Sequence, residues 1–343
     1  MIFKKTGVKN LLVLLFLAVG PPLIAQEISG LVLDGKTGEA LVGASVYFDG
    51  SSLGTTTGRE GRFHLKSPYK THAPLIVSFL GYKSVRIAKP SQEEELNITM
   101  EEYAQPIPEI ILTSDPFTRK QKLAVFTKEF LGDDRAARHC SILNEEVLSL
   151  SFNSYNNTFT ATARAPLFIV NSYLGYVVHF DLREFSILFR TKRLKRTDNI
   201  IYTRYAGFSR FEDVSEVGTR LLKRRRKAYL GSPMHFMRSL WRGDLVEQGF
   251  SLKYDGESIV PAQIIQRLDQ DSTGFKSFAF KKKNLTVYYL NRSSFRSSLR
   301  LEGSASFSID RYGNYTPYKN LIFSGYMADL RIADMVPINY QPR

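Results

Sequence analysis

Between residues 28 and 100 the chain alternates apolar and polar positions. Phe63 and Leu65 are flanked by Arg62 and His64, and Leu75, Val77 and Phe79 recur at every second position. Val46 and Phe48 fall on one face of a strand and Ser45 and Tyr47 on the other. A period of two puts successive side chains on opposite faces of a strand. The pattern predicts seven short strands, at 28–33, 44–48, 54–57, 62–65, 75–79, 85–87 and 96–100. Glycine turns separate them, at Gly35, Gly38, Gly50, Gly58, Gly61 and Gly81, because glycine accepts positive φ without a Cβ clash. Close turns between short strands predict a small sandwich or barrel. The stretch from Ile28 to Gly50 reads as its first hairpin.

From residue 119 the period changes. Leu123, Phe126, Phe130 and Leu131 share one face of a helix over 120–131, and Gly132 closes it. Asp133 or Asp134 caps a short helix through Cys140. Strands are expected at 147–152 and 158–164, forming a hairpin about Asn156-Asn157, then at 167–170, 176–181, 185–190 and 200–211. Residues 220–229 form a basic helix. A second helix follows, with Ser232 as N-cap, Pro233 in the first turn and Gly243 as its stop. Strands at 285–290 and 299–309 close the reading, with a turn at Gly313-Asn314. The predicted class is therefore an N-terminal all-β sandwich, residues 26–102, followed by a larger α+β region, residues 119–343. Pro106, Pro108 and Pro116 mark residues 103–118 as a linker, with 110–112 extended.

The first 25 residues stand apart. Lys4, Lys5 and Lys9 precede the apolar run 11–19, and Gly20, Pro21 and Pro22 break it ahead of Ala25. A basic start, a short apolar run and a small residue at the cut make a secretory signal peptide, cleaved after Ala25. The run is too short for a comfortable span of ~20 residues. No cysteine lies near the cut, which closes the acyl-anchored lipoprotein route.

Ile28-Ser29-Gly30, Asp34, Thr37-Gly38-Glu39, Leu41, Gly43-Ala44, Val46, Gly54-Thr55-Thr56-Thr57, Gly61-Arg62-Phe63 and Gly81-Tyr82 resemble the carboxypeptidase-regulatory-like domain. That resemblance implies a transthyretin-like (prealbumin-type) β-sandwich. The same domain stands ahead of the plug in TonB-dependent outer-membrane transporters, where "PEIILTSDP" would sit at the energy-coupling segment. No plug-sized domain or barrel is expected to follow here. The stretches "ILNEEVLSLSF", "APLFIVNSYLGYVVHFDL", "AYLGSPMHFMRSL" and "FSGYMADLRIAD" resemble an uncharacterised bacterial cell-envelope family in which this domain precedes a region of unknown role.

Composition narrows the chemistry. Of the 343 residues 43% are hydrophobic and 23% charged, so a packed core is expected rather than disorder. The single cysteine, Cys140, cannot form an internal disulfide, and an inert thiol is the expected reading. A zinc peptidase needs H-x-x-E or H-E-x-x-H, which leave an open position for water. The residues three after the five histidines are Ser67, Leu75, Ile142, Leu182 and Arg238, none acidic. There is no G-x-S-x-G elbow and no phosphate-cradling glycine motif. Ser232 beside His235 is better explained by capping than by catalysis. No catalytic, metal or cofactor-binding residue is expected, and no cofactor.

The net charge is +14. Export argues against nucleic acid as a partner and for anionic lipid, polysaccharide or an envelope protein. Three basic clusters carry the charge: Arg190, Lys192, Arg193, Lys195 and Arg196; Lys223, Arg224, Arg225, Arg226 and Lys227; and Lys281, Lys282 and Lys283. The anion-binding candidates are Arg193, Lys195, Arg196, Lys223, Arg224, Arg225, Arg226 and Lys227. The second cluster spans more than one helical turn, so its charges ring the helix and cannot all face the core. The sequence thus predicts an exported, non-catalytic envelope protein, periplasmic or associated with the outer membrane or cell surface. Its sandwich would serve as a docking or binding module. The alternatives are an accessory subunit of outer-membrane transport or assembly, or a hydrolase of unrecognised type in 119–343.

Overall fold

The computed structural model describes residues 26–68, 71, 73–90, 95–103, 115–194, 197–214, 216–270, 274–302, 306–317 and 320–342. The expected leader, most of the expected linker, His72, Lys195 and Arg196 lie outside these residues.

All seven strands of the first module form: β1 (Gln26–Asp34), β2 (Ser45–Phe48), β3 (Gly54–Thr56), β4 (Arg62–Ser67), β5 (Leu75–Ser78), β6 (Val85–Ile87) and β7 (Glu95–Met100). They make two sheets, ordered β4-β1-β7 and β3-β2-β5-β6. Ile28, Val32, Phe63, Leu65, Leu96 and Ile98 from the first meet Val46, Phe48, Leu75 and Val77 from the second in one buried cluster. Gly30 is fixed by close approach, since a Cβ there would stand 2.3 Å from the Leu96 carbonyl oxygen.

The expected first hairpin is reduced to a single antiparallel bridge, Leu33 against Ala40, and β1 does not pair with β2. β1 pairs with β4 and, in parallel, with β7, whereas β2 belongs to the opposite sheet. The intervening signature residues build a crossover instead. The Asp34 carboxylate accepts from the Lys36 and Thr37 amides at 2.7 and 2.9 Å and from the Tyr82 hydroxyl at 2.5 Å. Thr57 accepts from the Ala44 amide at 2.8 Å and donates to the Leu41 carbonyl at 2.5 Å. Two side chains thereby hold the turn at one layer and deliver the chain to the other.

Beyond the linker come α1 (Arg119–Leu131), β8 (Cys140–Ile142), β9 (Leu148–Asn153), β10 (Thr158–Ala163), β11 (Leu167–Asn171), β12 (Tyr176–Phe189) and β13 (Ile200–Asp213). β12 replaces two predicted strands with one. Arg183 and Glu184 are both exposed between buried Leu182 and Phe185, and the register shifts there by a bulge. The bulge re-phases the alternation, which reads locally as a break. β13 flanks β12 along its length, while β11 and β10 pair with its two halves on the other side. Phe126 and Phe130 of α1 pack on Phe180 and Phe185 of β12.

Helices α2 (Thr219–Tyr229) and α3 (Pro233–Arg242) lead to β14 (Phe250–Tyr254), β15 (Glu257–Ile259), α4 (Pro261–Ile264), β16 (Ile265–Gln270), β17 (Lys276–Phe280), β18 (Asn284–Tyr289), β19 (Arg296–Leu301), β20 (Ser306–Ile309), β21 (Tyr315–Thr316), β22 (Leu321–Gly325) and α5 (Tyr326–Asp329). The strand expected at 299–309 is two, β19 and β20, in different sheets. The strands between 250 and 280 lie outside the predicted elements, although Phe250, Leu252 and Tyr254 alternate with Ser251 and Lys253. Among the described residues after 115 there are two hydrophobic clusters, one around Phe126, Phe130 and Phe180 and one around Phe236, Phe250 and Phe307.

The sandwich is seated on this body. Tyr47, expected on a polar face, is 4% exposed, and Ile76 directly opposite it on β5 is fully buried. Neither joins the core between the two sheets of the sandwich. The Gly50 amide donates to the Ser209 carbonyl, the Ser209 amide to the Asp49 carboxylate and the Phe211 amide to the Ser51 carbonyl, at 2.7–2.9 Å. The turn after β2 therefore adds itself to the edge of β13. Residues 332–340 close the assembly. Asn171 donates to the Ala333 carbonyl, the Ile338 amide to the Gly50 carbonyl, and Asn339 bonds Ser52 in both directions.

Candidate functional site

Nucleophile and base candidates are tied up structurally. Ser232 caps α3 by accepting from the His235 amide at 3.2 Å, and Gly243 ends it with φ +88°. His235 Nδ1 accepts from the Gly231 amide at 3.1 Å, so Nε2 carries the proton toward Gln248 Oε1 at 3.2 Å. Burial among Tyr229, Phe250 and Tyr289 disfavours its charged form. Burial pushes the Cys140 thiol up to about 12, with Asp334 and Asp134 adding to the shift, so little thiolate exists near neutrality. His64, His139, His179 and His235 stand on separate elements. Among the described residues no three His, Cys, Asp or Glu side chains are grouped as a metal ion would require.

A cleft of about 580 Å³ lies between β13, α5 and the start of α3, with Arg331 and Asp334 in its wall. Burial, and then Asp134, push the Asp334 carboxyl up to about 7. At the sandwich interface burial pushes Asp49 up to about 6 against its amide hydrogen bonds. Both groups bind protons more tightly folded than unfolded, so the stability that these two contribute is lost as pH rises from about 4 to about 7, against the opposite contribution of His235. Asp334→Asn should flatten that slope, read as urea midpoints at about pH 5 and about pH 7.5.

The basic candidates divide. Arg225 is 5% exposed. It lies mid-face on α2, flanked by Leu221, Ala228 and Tyr229. Its guanidinium donates to the Leu174 and Gly175 carbonyls at 2.8 and 3.0 Å and to Asp213 at 2.5 Å, 3.7 Å over the Tyr176 ring. Arg224 donates to the Tyr173 carbonyl and stacks on that ring at 4.3 Å. Lys223, Arg226 and Lys227 are exposed together with Arg220, and among the described residues none of the four has a carboxylate partner. Lys281, Lys282 and Lys283 are exposed before β18.

Arg193 belongs elsewhere, to a groove of about 770 Å³ between α1 and the connection after β12. Phe117, Ala124, Val125 and Leu194 supply its apolar surface, and Lys120, Lys128, Lys192 and Arg193 its cations. Among the described residues of the connection, one side chain ties the two ends together. Asn199, 7% exposed, accepts from the Thr191 amide and hydroxyl and donates to the Thr191 and Arg193 carbonyls, at 2.7–3.0 Å. Asp115 fixes the other end, accepting from the Phe117 and Phe152 amides and pairing with Lys122 at 2.6 Å. Lys120 and Lys128 escaped the sequence reading. Their spacing about Ala124, on one face of α1, was the available signal.

Residues 28–112 match the family described as the CarboxypepD_reg-like domain. This segment is that domain, an N-terminal transthyretin-like unit, and the match runs past the expected boundary at 102 into the linker. Among solved structures, a cohesin–X-dockerin complex from Acetivibrio cellulolyticus aligns at 18% identity over 22% of this chain and 56% of that chain, with a TM-score of 0.19. A structure titled a putative membrane-associated protein of unknown function from Bacteroides fragilis aligns at 12% identity over 82% of this chain and 92% of that one, also at 0.19. At those scores neither likeness bears on fold or function here. The aligned part spans little more than half of the cohesin-complex chain. No curated protein matches. No helix among the described residues is long and apolar enough to cross a membrane.

Proposed function

We propose that the protein is exported to the cell envelope and acts there without catalysis, binding an anionic surface through α2. The observation that carries this reading is the solvent-facing side of α2, where Arg220, Lys223, Arg226 and Lys227 stand together unneutralised. Near a charged bilayer each such group contributes about 1 kcal/mol. The occupied His235 and the silent Cys140 thiol support a role other than nucleophilic chemistry. The CarboxypepD_reg-like sandwich docks in this reading on the chain's own body, through Tyr47, Asp49 and Ser51.

Purified protein is expected to sediment with vesicles containing phosphatidylglycerol and not with phosphatidylcholine alone. Raising salt should release it, because screening shortens the reach of exposed charges. Lys223→Glu with Lys227→Glu should abolish sedimentation. Binding that ignores salt or survives the double variant would defeat the proposal. Retention instead on an acidic polysaccharide column, with no vesicle binding, would move the partner from lipid to glycan.

A further inference from the structure

We propose that the groove between α1 and the connection after β12 binds a single-chain anionic amphiphile, with the apolar chain along Ala124, Val125 and Leu194 and the headgroup among Lys120, Lys192 and Arg193. The groove is separate from the exposed face of α2, and the proposal stands independently of the reading above. Four observations carry it.

The volume, about 770 Å³, lies within the range of about 300–1,000 Å³ typical of ligand sites. The lining is divided by chemistry. Leu194, 6% exposed, and Val125 face the same space as the aliphatic stems of the cations, a pairing suited to a methylene chain ending in an anion. The cations are available. Among the described residues Lys120, Lys192 and Arg193 have no carboxylate partner, and only Lys128 is paired, with Asp133 at 2.8 Å. The described wall residues are held in place, because Asn199 bonds Thr191 and Arg193 and the Asp115–Lys122 pair secures the start of the other wall. Rigid walls reduce the ordering cost of binding.

Shape selects the occupant. A concave floor cannot be filled by a planar headgroup layer but takes one chain. The neutral polar side chain of the lining, Gln121, is consumed in the N-cap of α1, where its carbonyl accepts from the Thr118 amide at 2.9 Å. The backbone N–H groups of a peptide would therefore find no free side-chain acceptor in the lining, and an acyl chain needs none.

The test uses the full mature chain and dodecanoate below its micellar concentration, read by titration calorimetry. Saturable binding at one site is expected, with dodecanol and dodecyltrimethylammonium weaker by about tenfold or more. Ala124→Trp should fill the floor and remove binding while circular dichroism stays unchanged. The exposed pair Lys192→Glu and Arg193→Glu should weaken dodecanoate by about tenfold, and Lys223→Glu with Lys227→Glu should leave it unaltered. Equal binding of dodecanol and dodecanoate would overturn the proposal. So would undiminished binding by both groove variants, or capture of an acidic amphipathic peptide without any dodecanoate binding.

Discussion

Replacing Arg238 with alanine is expected to lower the unfolding free energy by about 3–5 kcal/mol, because a buried charged donor to three backbone carbonyls is lost. Arg238 lies in α3 and is 3% exposed. Its guanidinium donates to the Tyr312, Tyr340 and Ile338 carbonyls at 3.0, 2.8 and 2.6 Å, and sits 5.3 Å over the Tyr229 ring. Bonds from a charged donor are each worth about 1.5–3 kcal/mol, and truncation would strip that donor from the buried Tyr312 and Tyr340 carbonyls and the half-buried Ile338 carbonyl. The same segment carries Ile338, whose amide bonds Gly50 of the sandwich. The lesion should therefore also speed amide exchange at Ile338 and Gly50. Arg238→Lys should recover only part of the loss, since an ammonium cannot reach three acceptors in one plane. Guanidinium titration measures the first effect and hydrogen exchange the second. A loss below about 1 kcal/mol would remove Arg238 from its assigned place.

Arg225→Ala is expected to cost about 2–4 kcal/mol. It strips two backbone acceptors, Leu174 and Gly175, and leaves Asp213 without its partner. Its neighbour gives the contrast. Lys223→Ala, exposed on the same helix, should stay within about 0.5 kcal/mol of the parent. Vesicle binding should respond in the opposite sense, falling with Lys223→Ala and remaining in the folded fraction of Arg225→Ala. Thermal denaturation beside sedimentation separates the two. If Arg225→Ala left stability intact while weakening sedimentation, this arginine would belong to the surface after all.

The sequence carries local information well and partnership poorly. Phe63, Leu65, Leu75 and Val77 announce their strands because alternation is a property of neighbours in the chain. Ser232 announces its helix in the same way. The pairing of β1 with β4 and β7 depends on which layer the chain enters after Gly43, and no nearby residue encodes that choice apart from Thr57, whose bond to Ala44 is visible only in three dimensions. The strands between 250 and 280 are short, five residues at β14 and three at β15, so the alternation of Phe250, Leu252 and Tyr254 runs over too few positions to stand out. Arg225 was legible in principle, since Leu221, Ala228 and Tyr229 define the inward face and it falls among them. The groove was not. Residues near 120 and near 193 meet across a folded core, and each stretch alone looks like ordinary solvated charge.

The seating of the sandwich bears on how the protein can be divided. Tyr47 and Ile76 are buried on the outer side of their sheet, against the body. A fragment ending at the linker would present both side chains to water as a sticky patch, and Asp49 would regain an ordinary acidity. Domain dissection, so natural for a unit that recurs in unrelated architectures, would here yield a piece prone to self-association, whose behaviour reports on the cut rather than on the intact molecule.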